Sequence, residues 1–447
     1  MHHTLDQLHQ GQLAGIRRLN LAAGVTDFPM EIFDLADSLE ILDLSNNQLD
    51  ALPDNLPRLH KLQKLFLSNN HFETVPEVLQ QCNQLSMVAF KGNRINRLPE
   101  NALPGQLRWL ILTDNCLDSL PDSIGSLSHL QKLSLAGNQL RHLPHQLAHC
   151  QSLEFIRLAA NQLEEFPTWL LSLPRLTWFG YAGNPFCTNW SQPDRGQSPL
   201  STIDWDRLVL ADVLGQGASG IIYRGTWTTD NGDLDVAVKV FKGEITSDGY
   251  PIDEMQACLA VGDHSNLMSP LGQISNHPDQ KNGLVFPLAP VNYKSLGNPP
   301  SLDSCTRDTY APETSFSLLG VLKIVTDVAA AVTHLHQRGI LHGDLYAHNI
   351  LTNHQDRAIL GDFGAASFYP EVLAPKLEPL EVRAFGCLLE ELMNHCPVVG
   401  TAPLTSIVED LHQLRQECMD GMPEQRPGFE AILERLEVLG QEIYLPH

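Results

Sequence analysis

Two short blocks in the C-terminal half carry side chains that could act on a phosphate group. ILHGDLYAHNIL at 340–351 places Asp344 five residues before Asn349, and LGDFG at 360–364 supplies Asp362. In phosphoryl transfer, one carboxylate orients and deprotonates an incoming hydroxyl, and further oxygen ligands hold Mg²⁺ against the phosphate oxygens. An aspartate, an asparagine and a second aspartate fit those tasks if the fold brings them together.

A glycine-rich block lies upstream. VLGQGASGIIYRGTW at 213–227 contains Gly215, Gly217 and Gly220 in the pattern G-x-G-x-x-G. This pattern alone also occurs in dinucleotide-binding folds, where a helix follows the glycines, but here the β-branched and aromatic run IIY favours a strand. Two strands joined by a glycine hairpin can cover phosphates with bare backbone.

A lysine and an acid follow the glycines. The apolar run VAVK ends at Lys239, and Glu254 comes fifteen residues later in IDEMQACLA. A lysine at the end of a buried strand is costly unless it is paired, and a phosphate or an acid can pair with it. Glu254 on a helix is the expected partner and Asp253 the second choice, while an unrelated surface lysine and glutamate are the plain alternative.

In this order and spacing, residues 205–440 resemble a protein kinase. EVRAFGCLLEEL (381–392) and ECMDGMPEQRPGFEAIL (417–433) are similar to two later blocks of that family, the second with Arg426 bracing the core. The resemblance implies an α+β bilobal protein kinase fold over 204–442, with ATP as the phosphoryl donor and Mg²⁺, or Mn²⁺, as the metal.

The resemblance also assigns roles to individual residues. Asp344 would be the catalytic base, Asn349 and Asp362 would bind the metal, and Lys239, paired with Glu254, would hold the α- and β-phosphates. Phe286 would be the gatekeeper, before the adenine-contacting backbones of Pro287 and Ala289. The ATP-binding positions implied in this way are Leu214, Gly215, Gln216, Gly217, Ala218, Ser219, Gly220, Ile222, Ala237, Lys239, Pro287, Ala289 and Leu351.

The sequence departs from the family pattern at several places. Gly343 replaces the usual arginine before the catalytic aspartate, so the usual phosphorylation switch is expected to be missing. Tyr346 stands where serine/threonine kinases often carry lysine, and His348 where tyrosine kinases place arginine. If Tyr369 begins the counterpart of the family's A-P-E, the segment after Gly364 is very short, and the platform for a peptide would be rudimentary.

The N-terminal half is a repeat array. Blocks of the type LEILDLSNNQLDALP begin at Leu39, Leu62, Leu85, Leu107, Leu130 and Leu153, with an opening copy at Ile16 and a closing one at Leu176. The spacing of 22–23 residues and the L-x-x-L-x-L pattern resemble leucine-rich repeats. This predicts an α/β leucine-rich repeat solenoid over 1–190, a horseshoe with a parallel sheet on its concave side.

Two recurring residues have expected roles in that solenoid. An asparagine at one position of each repeat from Asn47 to Asn184 is expected to satisfy backbone groups at the bend, and a proline after each block starts the convex segment. Outward strand positions carry aromatic and basic side chains, the composition of an interface with a protein substrate or regulator. These are Phe66, Arg108, Trp109, Lys132, Phe155, Arg157 and Trp178.

Composition limits the partners and the location. A net charge of −23 argues against nucleic acid or an anionic membrane as the main partner. We expect no signal peptide and no membrane span, because no uninterrupted apolar run of 18 residues exists. Nine cysteines without paired spacing fit reduced thiols, so a cytoplasmic location is expected. The Pro- and Ser-rich stretch 191–203 is predicted to be a linker.

The sequence therefore predicts a protein kinase, serine/threonine rather than tyrosine specific, whose repeats recruit a substrate or regulator. Two alternatives stay open. One is a catalytically silent pseudokinase scaffold that binds partners through the repeats. The other is a kinase fold that acts on a small hydroxyl compound, which the short segment after Asp362 would permit.

Overall fold

The computed structural model describes residues 2–190, 201–217, 219–243, 245–397 and 402–444. The chain divides into two compact units, the first made of residues 1–176 and 184–186 and the second of 177–183 and 187–447. Most of the predicted linker at 191–203 lies outside the described residues, and its last positions, 201–203, belong to a strand of the second unit.

The repeats form short strands. After α1 (Leu5–His9), the strands are β1 (Arg18–Asn20), β2 (Ile41–Asp43), β3 (Lys64–Phe66), β4 (Met87–Ala89), β5 (Trp109–Ile111), β6 (Lys132–Ser134), β7 (Phe155–Arg157) and β8 (Trp178–Gly180). β1 to β7 lie in one parallel sheet in chain order, and β8 belongs to the second unit. Equivalent positions of successive repeats face each other, with Leu42 opposite Leu65 and Leu65 opposite Val88. The predicted leucine-rich repeat solenoid is confirmed.

The recurring asparagines join successive repeats. The Asn138 amide donates to the carbonyls of Leu112 and Leu135 at 2.9 and 3.0 Å, and its oxygen accepts the Leu117 N–H at 3.0 Å. Asn47 makes the same bonds to the opening repeat. Because these backbone groups are buried, the amide satisfies donors and acceptors that would otherwise be costly. The predicted role of the asparagines is confirmed.

Short 3₁₀ helices form the other side of most repeats, although none lies among the described residues between β4 and β5. They span Met30–Leu35, Leu56–Arg58, Glu77–Gln81, Asp122–Ser126, His145–His149 and Thr168–Ser172. A proline immediately precedes most of them, for example Pro76, Pro121 and Pro144. Its fixed φ suits the entry to a helical turn, as predicted for the convex segment.

The side chains at the outward strand positions differ in solvent exposure. Phe66, Arg108, Trp109 and Lys132 are partly exposed. Phe155, Arg157 and Trp178 are buried, so they offer no open surface in this structure. The Lys132 Nζ lies 4.5 Å from the Trp109 ring centroid and 4.2 Å from that of Phe155, which is typical of cation–π contacts.

A six-stranded sheet begins the second unit. Its strands are β9 (Ser201–Asp204), β10 (Leu208–Gln216), β11 (Gly220–Thr229), β12 (Gly232–Phe241), β13 (Gly272–Ser275) and β14 (Gly283–Pro287), in the order β10-β11-β12-β14-β13-β9, with α2 (Pro251–Val261) between β12 and β13. Alternate residues of the central strand, including Val236, Val238 and Val240, pack with Val285 and Ile274 in one apolar cluster.

The rest of the unit is largely helical. Its elements are β15 (Lys294–Ser295), α3 (Leu318–His336), β16 (Ile340–Leu341), β17 (Ile350–Thr352), β18 (Ala358–Leu360), β19 (Ser367–Phe368), α4 (Ala374–Asn394), α5 (Ala402–Cys418) and α6 (Phe429–Tyr444). A mixed sheet followed by helices fits the predicted bilobal kinase fold. Among the described helices, α3 has the length and hydropathy to cross a membrane, and 67% of its most apolar window is buried inside the protein.

Candidate active site

The predicted lysine and glutamate meet in the second unit. Lys239 on β12 and Glu254 on α2 form an ion pair between two largely buried side chains. Glu254 lies in the first turn of α2, which begins at Pro251 as helices often do. Burial lowers the pKa of Lys239, but the Glu254 carboxylate, with a smaller contribution from Asp362, raises that pKa above its ordinary value. Lys239 is therefore held as a cation.

The glycine block forms the predicted hairpin between two strands. β10 pairs antiparallel with β11, and Gly215 lies opposite Ile222. A Cβ added to Gly215 or Gly217 would meet no protein atom within 4 Å. Packing against the described residues therefore does not require glycine at these two positions, and the backbone is open to close approach by a ligand. Ala218 lies outside the described residues.

The hairpin, β12, α2 and the end of β14 enclose a cavity of about 510 Å³. This volume lies in the range of small-molecule sites. The predicted site residues that line it are Leu214, Gly217, Ser219, Gly220, Ile222, Ala237, Lys239, Glu254, Pro287, Ala289 and Asp362. Phe286, the expected gatekeeper, and Phe363 line it as well.

Other predicted residues lie outside that lining as far as the described residues show. Gly215 and Gln216 belong to the end of β10. Leu351 lies in β17, opposite Ile359 and Ser295. Asp344 and Asn349 lie on the loop between β16 and β17.

That loop is held together by short-range hydrogen bonds. The Asn349 side-chain amide donates to the main-chain oxygen of Asp344 at 2.9 Å and to its Oδ2 at 3.2 Å. The Nδ1 of buried His342 accepts the Asp344 N–H at 3.3 Å, and its Nε2 lies 3.0 Å from the Gly361 oxygen. Because Nδ1 accepts, Nε2 carries the proton and donates to Gly361, next to Asp362.

Asp362 links the cavity to this loop. Its backbone has a φ of +54°, uncommon for a residue other than glycine, and its Oδ1 accepts the Gly364 N–H at 3.2 Å. The carboxylate acts electrostatically on Lys239 across the cavity and on His348 in the loop. The fold thus brings Lys239, Asp362 and the Asp344 loop to one place.

A buried acid on α4 anchors the same loop. The Glu381 Oε1 accepts the Gly343 N–H at 2.7 Å, and its Oε2 lies 2.7 Å from the His336 Nε2. A single carboxylate thus makes both contacts. Arg426 donates to the carbonyls of Pro379 and Asp420, which confirms its predicted bracing role.

Several contacts that support the site have no local signal in the sequence. His348 is held by Asp308, whose carboxylate lies 2.8 Å from the His348 Nδ1 and accepts its main-chain N–H at 2.9 Å. Burial lowers the pKa of His348, and Asp308 more than offsets this, so that pKa is raised. The forty-residue separation gave no local signal for this pair. Further cavity-lining residues that the sequence did not point to are Thr246, Asp248, Cys258, Met268 and Leu288.

The segment after Gly364 is as short as predicted. β19 pairs with β16, placing Phe368 opposite Ile340. Tyr369 then donates its hydroxyl to Glu378 at 2.8 Å, and Pro370 precedes a 3₁₀ turn that leads into α4 at Ala374. The chain therefore passes from Asp362 to a core helix with no long segment for a peptide to lie along.

Comparisons with known proteins agree with this architecture. The family described as protein tyrosine and serine/threonine kinase matches residues 208–373, and the leucine rich repeat family matches 31–102 and 105–163. Fibroblast growth factor receptor 1 of Xenopus laevis is 24% identical over 312 residues, covering 57% of this chain and 37% of the receptor. The same receptor of Pleurodeles waltl is 24% identical over 311 residues, with the same shares covered.

This chain thus spans little more than a third of the length of these relatives. The two family matches fall on the two parts of the chain that the fold separates, with the repeats first. The chain carries leucine-rich repeats N-terminal to a protein kinase domain.

Proposed function

We propose that this chain is an ATP- and Mg²⁺-dependent protein kinase that transfers the γ-phosphoryl group to serine or threonine hydroxyls of a protein. The observation that carries the proposal is the buried Lys239–Glu254 ion pair inside a cavity that Asp362 also lines. A buried pair of this kind is costly to maintain for stability alone. A phosphate-bearing ligand beside Lys239 would account for keeping this buried ion pair.

The residues divide the work between binding and chemistry. The backbone at Gly215 and Gly217 leaves room for phosphates, and Lys239 supplies a positive charge to them. Asp344 would orient the acceptor hydroxyl and take its proton, and the Asn349 amide fixes the Asp344 carboxylate.

The donor set suits a hard divalent cation. Asn349 and Asp362 offer amide and carboxylate oxygens, and no group of three or more His, Cys, Asp or Glu side chains forms a metal cage in the described parts of the chain. Mg²⁺ typically binds one or two protein oxygens together with substrate phosphates. When bound, the metal neutralises charge that develops on the phosphate oxygens. Mn²⁺ takes the same oxygen ligands.

The repeats are proposed to recruit the protein substrate or a regulator. Recruitment raises the local concentration of an acceptor near Asp344 and can compensate for the short segment after Asp362. The partly exposed Arg108 and Trp109 have the composition of interface anchors. Nine free cysteines support a cytoplasmic location for this activity.

The short segment also favours a second candidate, transfer to a small hydroxyl compound. The described chain reaches α4 ten residues after Gly364, which leaves the acceptor side without a peptide platform of its own. This candidate uses the same nucleotide site and differs only in the acceptor.

One experiment tests the proposal against both alternatives. The full chain is incubated with Mg²⁺ and γ-labelled ATP, with proteins, with Ser-, Thr- and Tyr-containing peptides, or with small hydroxyl compounds, and the phosphorylated sites are mapped. We expect label on serine or threonine, reduced by about 10²-fold or more in Asp344→Asn, with exposed Asp279→Asn as the control.

The other outcomes of this transfer experiment distinguish between the alternatives. Label only on small compounds favours the second candidate. Label on tyrosine overturns the proposed acceptor type. Absence of transfer by the wild-type chain, or equal transfer by Asp344→Asn, leaves the silent scaffold as the better account.

A further inference from the structure

A tryptophan of the second unit contacts the loop between β16 and β17, which carries Asp344 and Asn349 and is here called the catalytic loop. Residues 177–183, here called the 177–183 segment, belong to that unit. The Trp178 ring stacks on the Tyr346 ring, with centroids 4.4 Å apart and planes inclined by 6°. The Trp178 Nε1 donates to the Leu345 carbonyl at 3.1 Å. Tyr346 and Leu345 immediately follow Asp344, so this contact fixes the chain next to the proposed base.

The same segment holds the strand after Asp362. The Tyr181 hydroxyl donates to the Phe368 carbonyl at 3.2 Å, and the Tyr181 N–H reaches the Ser367 Oγ at 3.5 Å. Burial raises the pKa of Tyr181, which keeps the phenol protonated and able to donate. Trp178 and Tyr181 therefore connect two parts of the site, the catalytic loop and β19.

Gly343 shows how closely the segment approaches. Gly343 has a φ of +74°, and a Cβ at this position would lie 2.7 Å from the Ala365 oxygen and 2.9 Å from the Phe179 oxygen. Both are backbone atoms, so neither can move aside as a side chain would. The space next to the backbone where kinases carry an arginine is occupied here by the 177–183 segment and by residues after Asp362.

A second ring contact links Tyr346 to His348, next to the proposed metal ligand Asn349. The Tyr346 ring packs against the His348 ring at 5.0 Å between centroids, and the Asp308 carboxylate lies 2.8 Å from the His348 Nδ1. Asn349 comes next in the chain. Ring contacts thus connect Trp178 through Tyr346 to His348, the residue before Asn349.

We propose that the 177–183 segment takes the place of the shortened segment after Asp362 and holds the catalytic loop in its working geometry, with Trp178 as a positioning residue. This inference rests on the proposed function. In kinases with a long segment after the metal-binding aspartate, contacts of that segment order the catalytic loop. Here stacking and hydrogen bonds from a part of the chain more than 160 residues earlier supply that order.

The test compares three variants of the full chain. Trp178→Ala removes the stack and the hydrogen bond, and Trp178→Phe keeps a ring but removes the indole N–H. Trp169→Ala is the matched control, because the Trp169 ring packs against the His145 ring in the first unit, with centroids 5.0 Å apart. The readouts are kcat and the KM for ATP in transfer to a peptide, together with hydrogen exchange of the backbone in 340–349.

We expect Trp178→Ala to lower kcat by about tenfold or more, because small displacements of a catalytic group are costly. The KM for ATP should stay within about twofold, because Trp178 lies outside the nucleotide cavity, and exchange in 340–349 should increase. Trp178→Phe should recover most of the kcat. Partial unfolding would also lower the apparent kcat without changing the KM for ATP, but it would increase exchange throughout the second unit and not in 340–349 alone.

The inference fails if Trp178→Ala matches Trp169→Ala in kcat and in exchange. If the wild-type chain transfers no phosphate, the proposed function fails, and hydrogen exchange still decides whether Trp178 orders the loop. If Trp178→Ala does not fold, Trp178→Phe and Tyr346→Leu decide, since Tyr346→Leu removes the stack from the other side and should increase exchange in 340–349.

Discussion

Lys239 and Glu254 face each other across the β12–α2 interface as a buried ion pair, with side chains 14% and 4% exposed. Desolvation of two charges is repaid only when both partners stay together. Both residues also line the cavity that Asp362 lines. Stability and the proposed nucleotide binding are therefore expected to depend on the same two residues, and substitutions can separate these contributions.

The first prediction concerns this pair. Lys239→Met should abolish measurable ATP binding and destabilise the kinase domain by about 3–5 kcal/mol, because it leaves the Glu254 charge buried without its partner. The double variant Lys239→Met/Glu254→Met should recover much of the stability without recovering ATP binding. Denaturant unfolding and calorimetric titration with ATP measure the two effects. If Lys239→Met binds ATP like the wild type, Lys239 does not hold the phosphates.

The second prediction concerns the neighbouring acid. Burial raises the pKa of Asp253 from 3.8 to about 6, and its Oδ2 has no hydrogen-bond partner among the described residues. The raised pKa means that the folded state favours the protonated form, so the associated stability is present at low pH and is lost as pH rises through about 6. Asp253→Asn should therefore stabilise the protein at pH 7–8.

The gain should reach at most about 3 kcal/mol above pH 7, the equivalent of the rise in the pKa. It should shrink as the pH falls to 5, where the wild-type carboxyl is increasingly protonated. Thermal unfolding of both proteins from pH 5 to 8 measures this, with exposed Asp279→Asn as the control. A gain that is constant across this range would show that the Asp253 pKa is not raised.

The third prediction concerns the recurring asparagines of the repeats, from Asn47 to Asn184, here called the asparagine ladder. Asn138→Ala should destabilise the repeat unit by about 2–4 kcal/mol, because it leaves the Leu117 N–H and the carbonyls of Leu112 and Leu135 without their partner. The adjacent Gln139 is exposed, so Gln139→Ala should change the free energy of unfolding by less than about 0.5 kcal/mol. Equal effects of the two substitutions would argue against the ladder as a source of stability.

The fourth prediction concerns recruitment by the repeats. Trp109→Ala should raise the KM for a recruited protein acceptor several-fold and leave the KM for a short peptide unchanged, because only the protein acceptor engages the repeats. Trp169→Ala serves as the control on a 3₁₀ helix of the other side. Steady-state transfer to both acceptors measures this. A protein acceptor used equally well by both variants would exclude Trp109 from recruitment.

The repeat fold was open to prediction because its signal is periodic. Each inward leucine and each asparagine is specified by the repeat itself, and the bonds of Asn138 differ little from those of Asn47. The Lys239–Glu254 contact was also predictable, because an isolated lysine on an apolar strand requires a partner.

Other features depend on contacts between distant parts of the chain. The Asp308–His348 pair and the stack of Trp178 on Tyr346 join residues 40 and more than 160 positions apart. The sequence predicts an outward position for Trp178 from strand alternation alone. Its burial follows from tertiary packing that alternation does not specify.

The central claim is that Lys239, Asp362 and the Asp344–Asn349 loop converge on one metal-bound nucleotide, and calorimetric titration of the full chain with an unhydrolysable ATP analogue, with and without Mg²⁺, tests it most directly. We predict that Mg²⁺ strengthens binding by about tenfold or more in the wild type, that Asp362→Asn removes this dependence, and that Asp279→Asn retains it. A wild-type chain that does not bind the analogue, or an Asp362→Asn variant with undiminished Mg²⁺ dependence, would contradict the claim.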